Sequence, residues 1–218
     1  MIELVAALAR IRARIEAAGG DLGTVRILPV TKGHPTSAVR AAADAGCAEV
    51  GESYAQELAG KAEELDTDVR WHMIGRLQRN KVRQIAPFVH LWQTIDRLSL
   101  AGEVARRAPG ATVLVQVNVT GADQQGGCPP ERVAAVVEAC TDLGLRVQGL
   151  MAIGPIGPPD TSRAAFRIVR DLADRLDLPE RSMGMSGDLE AAVAEGSTLV
   201  RIGTALFGPR AGGSAVGN

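Results

Sequence analysis

The sequence predicts an α/β fold, specifically a closed (β/α)8 barrel, or TIM barrel, with an additional N-terminal helix. Three observations carry this. Short β-prone apolar stretches alternate eight times with longer helical patterns along 218 residues. Several of those stretches, ATVLVQVNV above all, are continuous apolar runs, as strands covered on both faces are. No linker, low-complexity tract or tandem repeat divides the units, so the reading is one domain over 1–210 with a flexible tail over 211–218. An open doubly wound sheet is the rival architecture, and the count of eight units favours the barrel. The chain is somewhat shorter than the roughly 250 residues typical of that fold.

The opening MIELVAALARIRARIEAAGG places its apolar residues on one helical stripe, giving a helix over 2–18. RILPV (26–30) is the first strand and 36–45 its helix. CAEVG (47–51) follows, then a helix over 54–64, with Gly46 and Ser53 as punctuation. VRWHMI (69–74) precedes a helix starting near Gln78, and FVHLWQ (88–93) a helix over 98–108. ATVLVQVNV (111–119) is the clearest strand; a loop over 120–130 leads to the helix 130–144, which Gly144 ends. RVQGLMAI (146–153), a stiff GPIGPPD loop and a helix over 160–177 form the sixth unit. RSMGM (181–185) with DLEAAVAEG, then STLVRIG (197–203) with a short turn from Thr204, complete the set.

Composition excludes several function classes. Formal charge is -1, from 24 basic and 25 acidic residues scattered along the chain, so no broad field favours nucleic acid or an anionic membrane. Cys47, Cys128 and Cys140 are too widely spaced for a disulfide framework or a structural zinc site. Neither a secretory signal nor an 18-residue apolar span is present, which points to a reduced, cytoplasmic setting. With 3% aromatic residues the core must be built from Ala, Val, Leu and Ile. Only three lysines occur, Lys32, Lys61 and Lys81, so each is informative.

Barrel closure sets the first strand beside the eighth and gathers their C-terminal ends, where enzymes of this fold bind ligands. Lys32 and Arg201 fall there. So do GMSGD (184–188) and RIGTALFG (201–208), the loops after strands seven and eight that commonly hold phosphate. A lysine amine suits Schiff-base formation with a carbonyl ligand. Each residue also has a plainer role open to it: Lys32 as a solvated strand-end charge, Arg201 as an ion-pair partner, Ser186 and Thr204 as helix caps. His72, with Trp71 and Met73, reads as barrel lining. Glu52 reads as a cap, Tyr54 as a half-buried ring, and Asn80 and Lys81 as surface. No Ser/His/Asp triad or glycosidase carboxylate pair has positional support.

PVTKGHP, EVGESYAQE, WHMIGRLQRNK, GLMAI, GMSGDLEAAVAEGSTLVRIGTALFG and the final GPR occur in that order. In this the chain resembles, over about residues 5–210, the pyridoxal phosphate homeostasis protein family, small single-domain relatives of the barrel domain of alanine racemase. The resemblance implies pyridoxal 5'-phosphate (PLP) held as a Schiff base on Lys32. It also implies phosphate contacts at Ser186, Gly203 and Thr204, Arg201 facing the pyridine nitrogen, and Ser53, His72, Met151 and Met185 as supporting residues. It further implies a monomer that takes part in intracellular vitamin B6 homeostasis without established turnover. The partners expected on this resemblance are PLP itself and PLP-dependent apoenzymes, with neither nucleic acid nor membrane. Departures are Ser53 where the family often has asparagine, Arg76 in place of a proline, and Gly33–His34 in place of a polar pair. The racemases' second domain and opposing tyrosine have no counterpart. The competing functions are a small PLP-dependent racemase or lyase, and a non-catalytic phosphate-binding module.

Overall fold

Strand and helix alternate as the sequence pattern dictates, and the computed structural model describes residues 2–122 and 125–209. Helix α1 (Ile2–Ala17) precedes the barrel. The units then run β1 (Arg26–Pro29) and α2 (Thr36–Asp44), β2 (Glu49–Glu52) and α3 (Ala55–Glu64), β3 (Arg70–Met73) and α4 (Val82–Ile85), β4 (Val89–Ile95) and α5 (Leu98–Arg107). The second half runs β5 (Thr112–Val117) and α6 (Val133–Asp142), β6 (Arg146–Ala152) and α7 (Pro159–Arg175), β7 (Glu180–Ser182) and α8 (Leu189–Ala194), β8 (Leu199–Ile202) and α9 (Thr204–Phe207). The strands form one parallel sheet ordered β1-β8-β7-β6-β5-β4-β3-β2. Between β1 and β2 the ladder is reduced to a bridge, Val30 to Gly51, so the sheet is nearly closed into the expected barrel.

Inside the barrel Leu28, Leu91, Leu114, Met151 and Leu199 fill the lumen. Outside it Trp92, Phe166 and Leu58 pack between the sheet and the helices. Helix α1 buries Leu4, Leu8, Ile11 and Ile15 against Leu189, Val193, Val200 and Leu206, so it closes the outer side of β8 instead of trailing from the barrel. Truncating a fully buried member such as Ile15 to alanine costs about 2–5 kcal/mol in such a setting.

Of the boundaries that differ from the sequence reading, four have a clear local reason. The helix expected from Gln78 is a 3-10 turn, Arg79–Lys81, before the four-residue α4. The helix expected from 130 likewise starts as a 3-10 turn, Pro130–Arg132, where two successive prolines lack N–H donors. Strand β7 stops at Ser182 because Gly184, at φ +90°, turns the chain. Strand β8 starts at Leu199: the Ser197 hydroxyl donates to the Met183 carbonyl at 2.8 Å, and Thr198 Oγ1 accepts from the Arg181 N–H at 2.9 Å. The three cysteines are free thiols, with burial pushing Cys128 and Cys140 up to about 11. No described helix is long and apolar enough to cross a membrane. The proposed tail, 211–218, lies outside the described residues.

Candidate functional site

The exits of β1, β8 and β7 are hydrogen-bonded side by side. The Val30 N–H donates to the Ile202 carbonyl at 2.8 Å, and that of Arg201 to the Gly184 carbonyl at 2.9 Å. At Gly203 a Cβ would stand 3.3 Å from the Val30 carbonyl oxygen, tighter than side chains normally pack. Lys32, Gly203–Thr204 and Gly184–Ser186 therefore occupy three adjacent strand exits on the C-terminal mouth, the ligand-binding end of this fold.

The half-buried Lys32 sits in a turn clamped on both sides. Before it, Thr31 donates its N–H to the Gly51 carbonyl at 3.0 Å and its hydroxyl to Glu52 Oε1 at 2.7 Å. After it, Gly33 donates its N–H to Glu57 Oε2 at 2.8 Å. Lys61 Nζ joins the two clamps, donating to the Thr31 carbonyl (2.8 Å), Glu52 Oε1 (2.6 Å) and Glu57 Oε2 (3.2 Å). Gly33 adopts φ +71°, where most side chains are strained, so this departure from the family pattern eases the turn. Glu52 is fully buried, and among the described residues its Oε2 has no partner. Burial raises its carboxyl pKa, against the opposing pull of Lys61 and Thr31. The cap reading for Glu52 is thus replaced by a buried ion pair, and Tyr54 is exposed.

Arg201 is 4% exposed and points into the barrel. Its Nη1 donates to the Ser182 carbonyl at 2.6 Å and the Ser182 hydroxyl at 2.8 Å, and its Nη2 to the Ala152 carbonyl at 2.7 Å. None of the ion pairs among the described residues includes it, so the ion-pair role does not hold. Burial lowers its pKa to about 10, offset in part by the field of Asp188, and it stays cationic at neutral pH. A buried cation held, among the described residues, only by neutral acceptors is unfavourable for folding alone, which makes the position a candidate for function.

Ser186 and Thr204 are not helix caps. Helix α8 starts after Asp188 and α9 after Gly203, and neither hydroxyl has a hydrogen bond within the described residues. Instead, Asp188 Oδ1 accepts the Met185 N–H at 2.6 Å and bends the loop. Arg14, ion-paired to Glu190 at 2.6 Å, donates to the Ser186 carbonyl at 3.0 Å, so α1 braces the same loop. Met185 is 38% exposed on this rim. Ser53 leaves β2 on the neighbouring rim, and its carbonyl lies so close to Gly75 that any side chain there would overlap it. Met151 and His72 are fully buried in the lumen below.

His72 is neutral. Burial, with the charges of Arg26, His90 and Arg70 adding to it, lowers its pKa to about 3. Below the ordinary imidazole value of 6.5 the unfolded chain therefore binds a proton that the folded chain refuses, and stability falls with falling pH until the folded ring titrates near 3. Between pH 6.5 and 4.5 this contributes a slope approaching about 1.4 kcal/mol per unit. Urea titrations across that window should show the slope in wild type and its loss in His72→Gln; equal slopes would contradict a neutral His72.

Residues 6–211 match the family described as alanine racemase, N-terminal domain. Over 211 residues the chain is 46% identical to the pyridoxal phosphate homeostasis protein of Pseudomonas aeruginosa, covering 93% of this chain and 92% of that one. The chain belongs to the pyridoxal phosphate homeostasis protein family. A second member, from Aquifex aeolicus, is 40% identical over 93% of this chain and 95% of its own. Among solved structures, PipY of Synechococcus elongatus with PLP bound superposes with a TM-score of 0.80 at 30% identity, covering 94% of this chain and 99% of that one. An alanine racemase of Clostridium difficile, 13% identical with a TM-score of 0.71 over 92% of this chain and 56% of its own, shares the fold.

For a member of the pyridoxal phosphate homeostasis family, the rim gathers Lys32, Ser186, Gly203 and Thr204, with Arg201 just beneath. Sequence reasoning did not assign roles to Lys61, Glu57, Arg14, Gln93 or Ser182. The scarcity of lysine was the one signal pointing to Lys61; the others have none.

Proposed function

We propose that this chain binds PLP reversibly and serves intracellular vitamin B6 homeostasis as a cytoplasmic, monomeric reservoir from which apoenzymes are supplied. The observation that carries this reading is Arg201, an enclosed cation that has no carboxylate partner among the described residues, beneath a rim bearing Lys32 and the Ser186 and Thr204 hydroxyls, neither of which is hydrogen-bonded within those residues. Ser186, Thr204 and the Gly203 backbone suit the phosphate, while the permanent charge of Arg201 suits an unprotonated pyridine nitrogen. The cofactor's aldehyde supplies the carbonyl that condenses with the Lys32 amine. Ser53, His72, Met151 and Met185 support the site from the rim and the lumen. A guanidinium beside the ring nitrogen weakens the ring as an electron sink, which favours holding the cofactor over transforming amino acids.

PLP should bind far more tightly than pyridoxamine phosphate or inorganic phosphate, as measured by equilibrium dialysis. Equal affinities would mean a phosphate-binding module instead. Arg201→Ala should weaken PLP binding at least about tenfold and shift the visible band, since it removes charge-assisted contacts; an unchanged spectrum and affinity would remove Arg201 from the site. Deuterium exchange at an amino-acid α-carbon, dependent on Lys32, would establish a racemase or lyase instead.

A further inference from the structure

Arg201 is one end of a line of buried polar groups that crosses the barrel. Its Nη1 donates to the Ser182 hydroxyl at 2.8 Å. That hydroxyl meets Gln93 Oε1 at 2.6 Å, joining β7 to β4, strands that are not neighbours in the sheet, so the contact runs through the lumen. Gln93 Nε2 meets His72 Nδ1 at 2.8 Å. The far side of the imidazole, Nε2, has no hydrogen-bond partner among the described residues and lies 3.8 Å from Glu49 Oε1, close enough to feel its charge but too far for a hydrogen bond. Glu49 in turn pairs with Arg26 at 2.9 Å and Arg70 at 2.9 Å at the opposite, N-terminal mouth. Ser182, Gln93 and His72 are each fully buried, amid Leu91, Leu114 and Met151.

The two ends fix the direction of every proton between them. Arginine only donates, so the Ser182 oxygen accepts from it and its own proton must go to Gln93. Gln93 then presents its carbonyl to Ser182 and its N–H to His72, which makes Nδ1 the acceptor and leaves the ring proton on Nε2, toward the Glu49 carboxylate. With the amide reversed, Ser182 would lose its acceptor, and a bare Nε2 would face a carboxylate. Only one direction satisfies every hydrogen bond from Arg201 to His72 Nδ1 and also turns the ring proton, not a bare nitrogen, toward the carboxylate.

We infer that Ser182, Gln93 and His72 are positioning residues that hold Arg201 toward the ligand rim through a one-way hydrogen-bond chain that ends at His72, with the ring's Nε2 proton turned toward the Glu49 carboxylate. This deepens the PLP reading and, where it concerns the ligand, rests on it. The physical advantage lies in the neutrality of the chain. A carboxylate against Arg201 would fix the guanidinium but cancel its field at the ring nitrogen. Neutral dipoles fix it and leave its charge directed at the ligand, tempered by the field of Asp188 rather than cancelled by a paired carboxylate.

Two measurements on the apoprotein test the chain without the cofactor. Histidine 15N NMR should find His72 protonated at Nε2 and bare at Nδ1. The Arg201 guanidinium N–H protons, slow to exchange with solvent in wild type, should exchange faster in Gln93→Met and Ser182→Ala. On PLP loading both variants should bind roughly tenfold more weakly, as expected for a lost hydrogen bond in a network that ends on a charge. They should also show a shifted visible band while borohydride still modifies Lys32. A His72 protonated at Nδ1 overturns the chain. So do variants that are folded by circular dichroism yet keep wild-type arginine exchange, PLP affinity and spectrum. Should wild-type protein fail to bind PLP, the functional reading falls, and the NMR and exchange results still decide the chain.

Discussion

Borohydride reduction of the PLP-loaded protein should add a pyridoxyl group to Lys32 and to neither of the other lysines, and Lys32→Ala should abolish both the visible band and the adduct. Condensation of the Lys32 amine with the aldehyde releases water and forms a C=N bond. Hydride then adds to carbon and a proton to nitrogen, leaving a stable secondary amine for intact mass and peptide mapping. The selectivity follows from position. Lys61 has its ammonium engaged by Thr31, Glu52 and Glu57, and it is 7% exposed. Lys81 lies in the 3-10 turn before α4, away from the C-terminal exits of β1, β7 and β8. Lys32 stands on that mouth, with its backbone clamped by hydrogen bonds at Thr31 and Gly33. Lys32→Arg separates charge from nucleophilicity: it keeps a cation but cannot form the imine, so weak phosphate-dependent binding should survive without the band. Retention of the full cofactor load and adduct by Lys32→Ala would end the assignment.

Much of this was legible in the sequence, for reasons that can be located. The run at Thr112–Val117 is β-prone throughout, and Gly144 and Gly196, at φ +75° and +81°, end helices where the pattern placed them. Lys32 and Arg201 stood out because they mark the exits of strands that barrel closure makes neighbours. What stayed hidden depends on partners distant in sequence. Gln93 and Ser182 lie 89 positions apart and meet only across the lumen. Lys61 reaches Thr31, 30 positions back and on another element. The significance of Arg201 comes from the carboxylate it lacks, and no local pattern encodes a missing neighbour. Ser186 and Thr204 misled in the opposite sense: each has the residue type of a cap, but the N-cap positions are held by Asp188 and Gly203.

The Lys61 clamp makes stability and binding separable. Lys61→Met should destabilise the protein by about 3–5 kcal/mol, because it strands the Glu52 carboxylate in a site with no exposure. Neutralising that carboxylate as well should recover much of the loss, since a buried pair replaced by apolar groups of similar volume is often close to neutral. The double variant Lys61→Met with Glu52→Leu is therefore expected to unfold in urea at a midpoint well above that of Lys61→Met and below wild type, the remaining deficit coming from the buried Thr31 hydroxyl left without its acceptor. It should nonetheless bind PLP poorly: the Thr31 hydroxyl has lost its acceptor, the Thr31 carbonyl keeps only the His34 N–H, and Glu57 no longer has the ammonium that held it against the Gly33 N–H. A double variant that is both stable and fully competent to bind would show that the clamp serves folding alone. One that recovers stability without affinity would show that a lysine distant from the ligand orders the turn from which Lys32 acts.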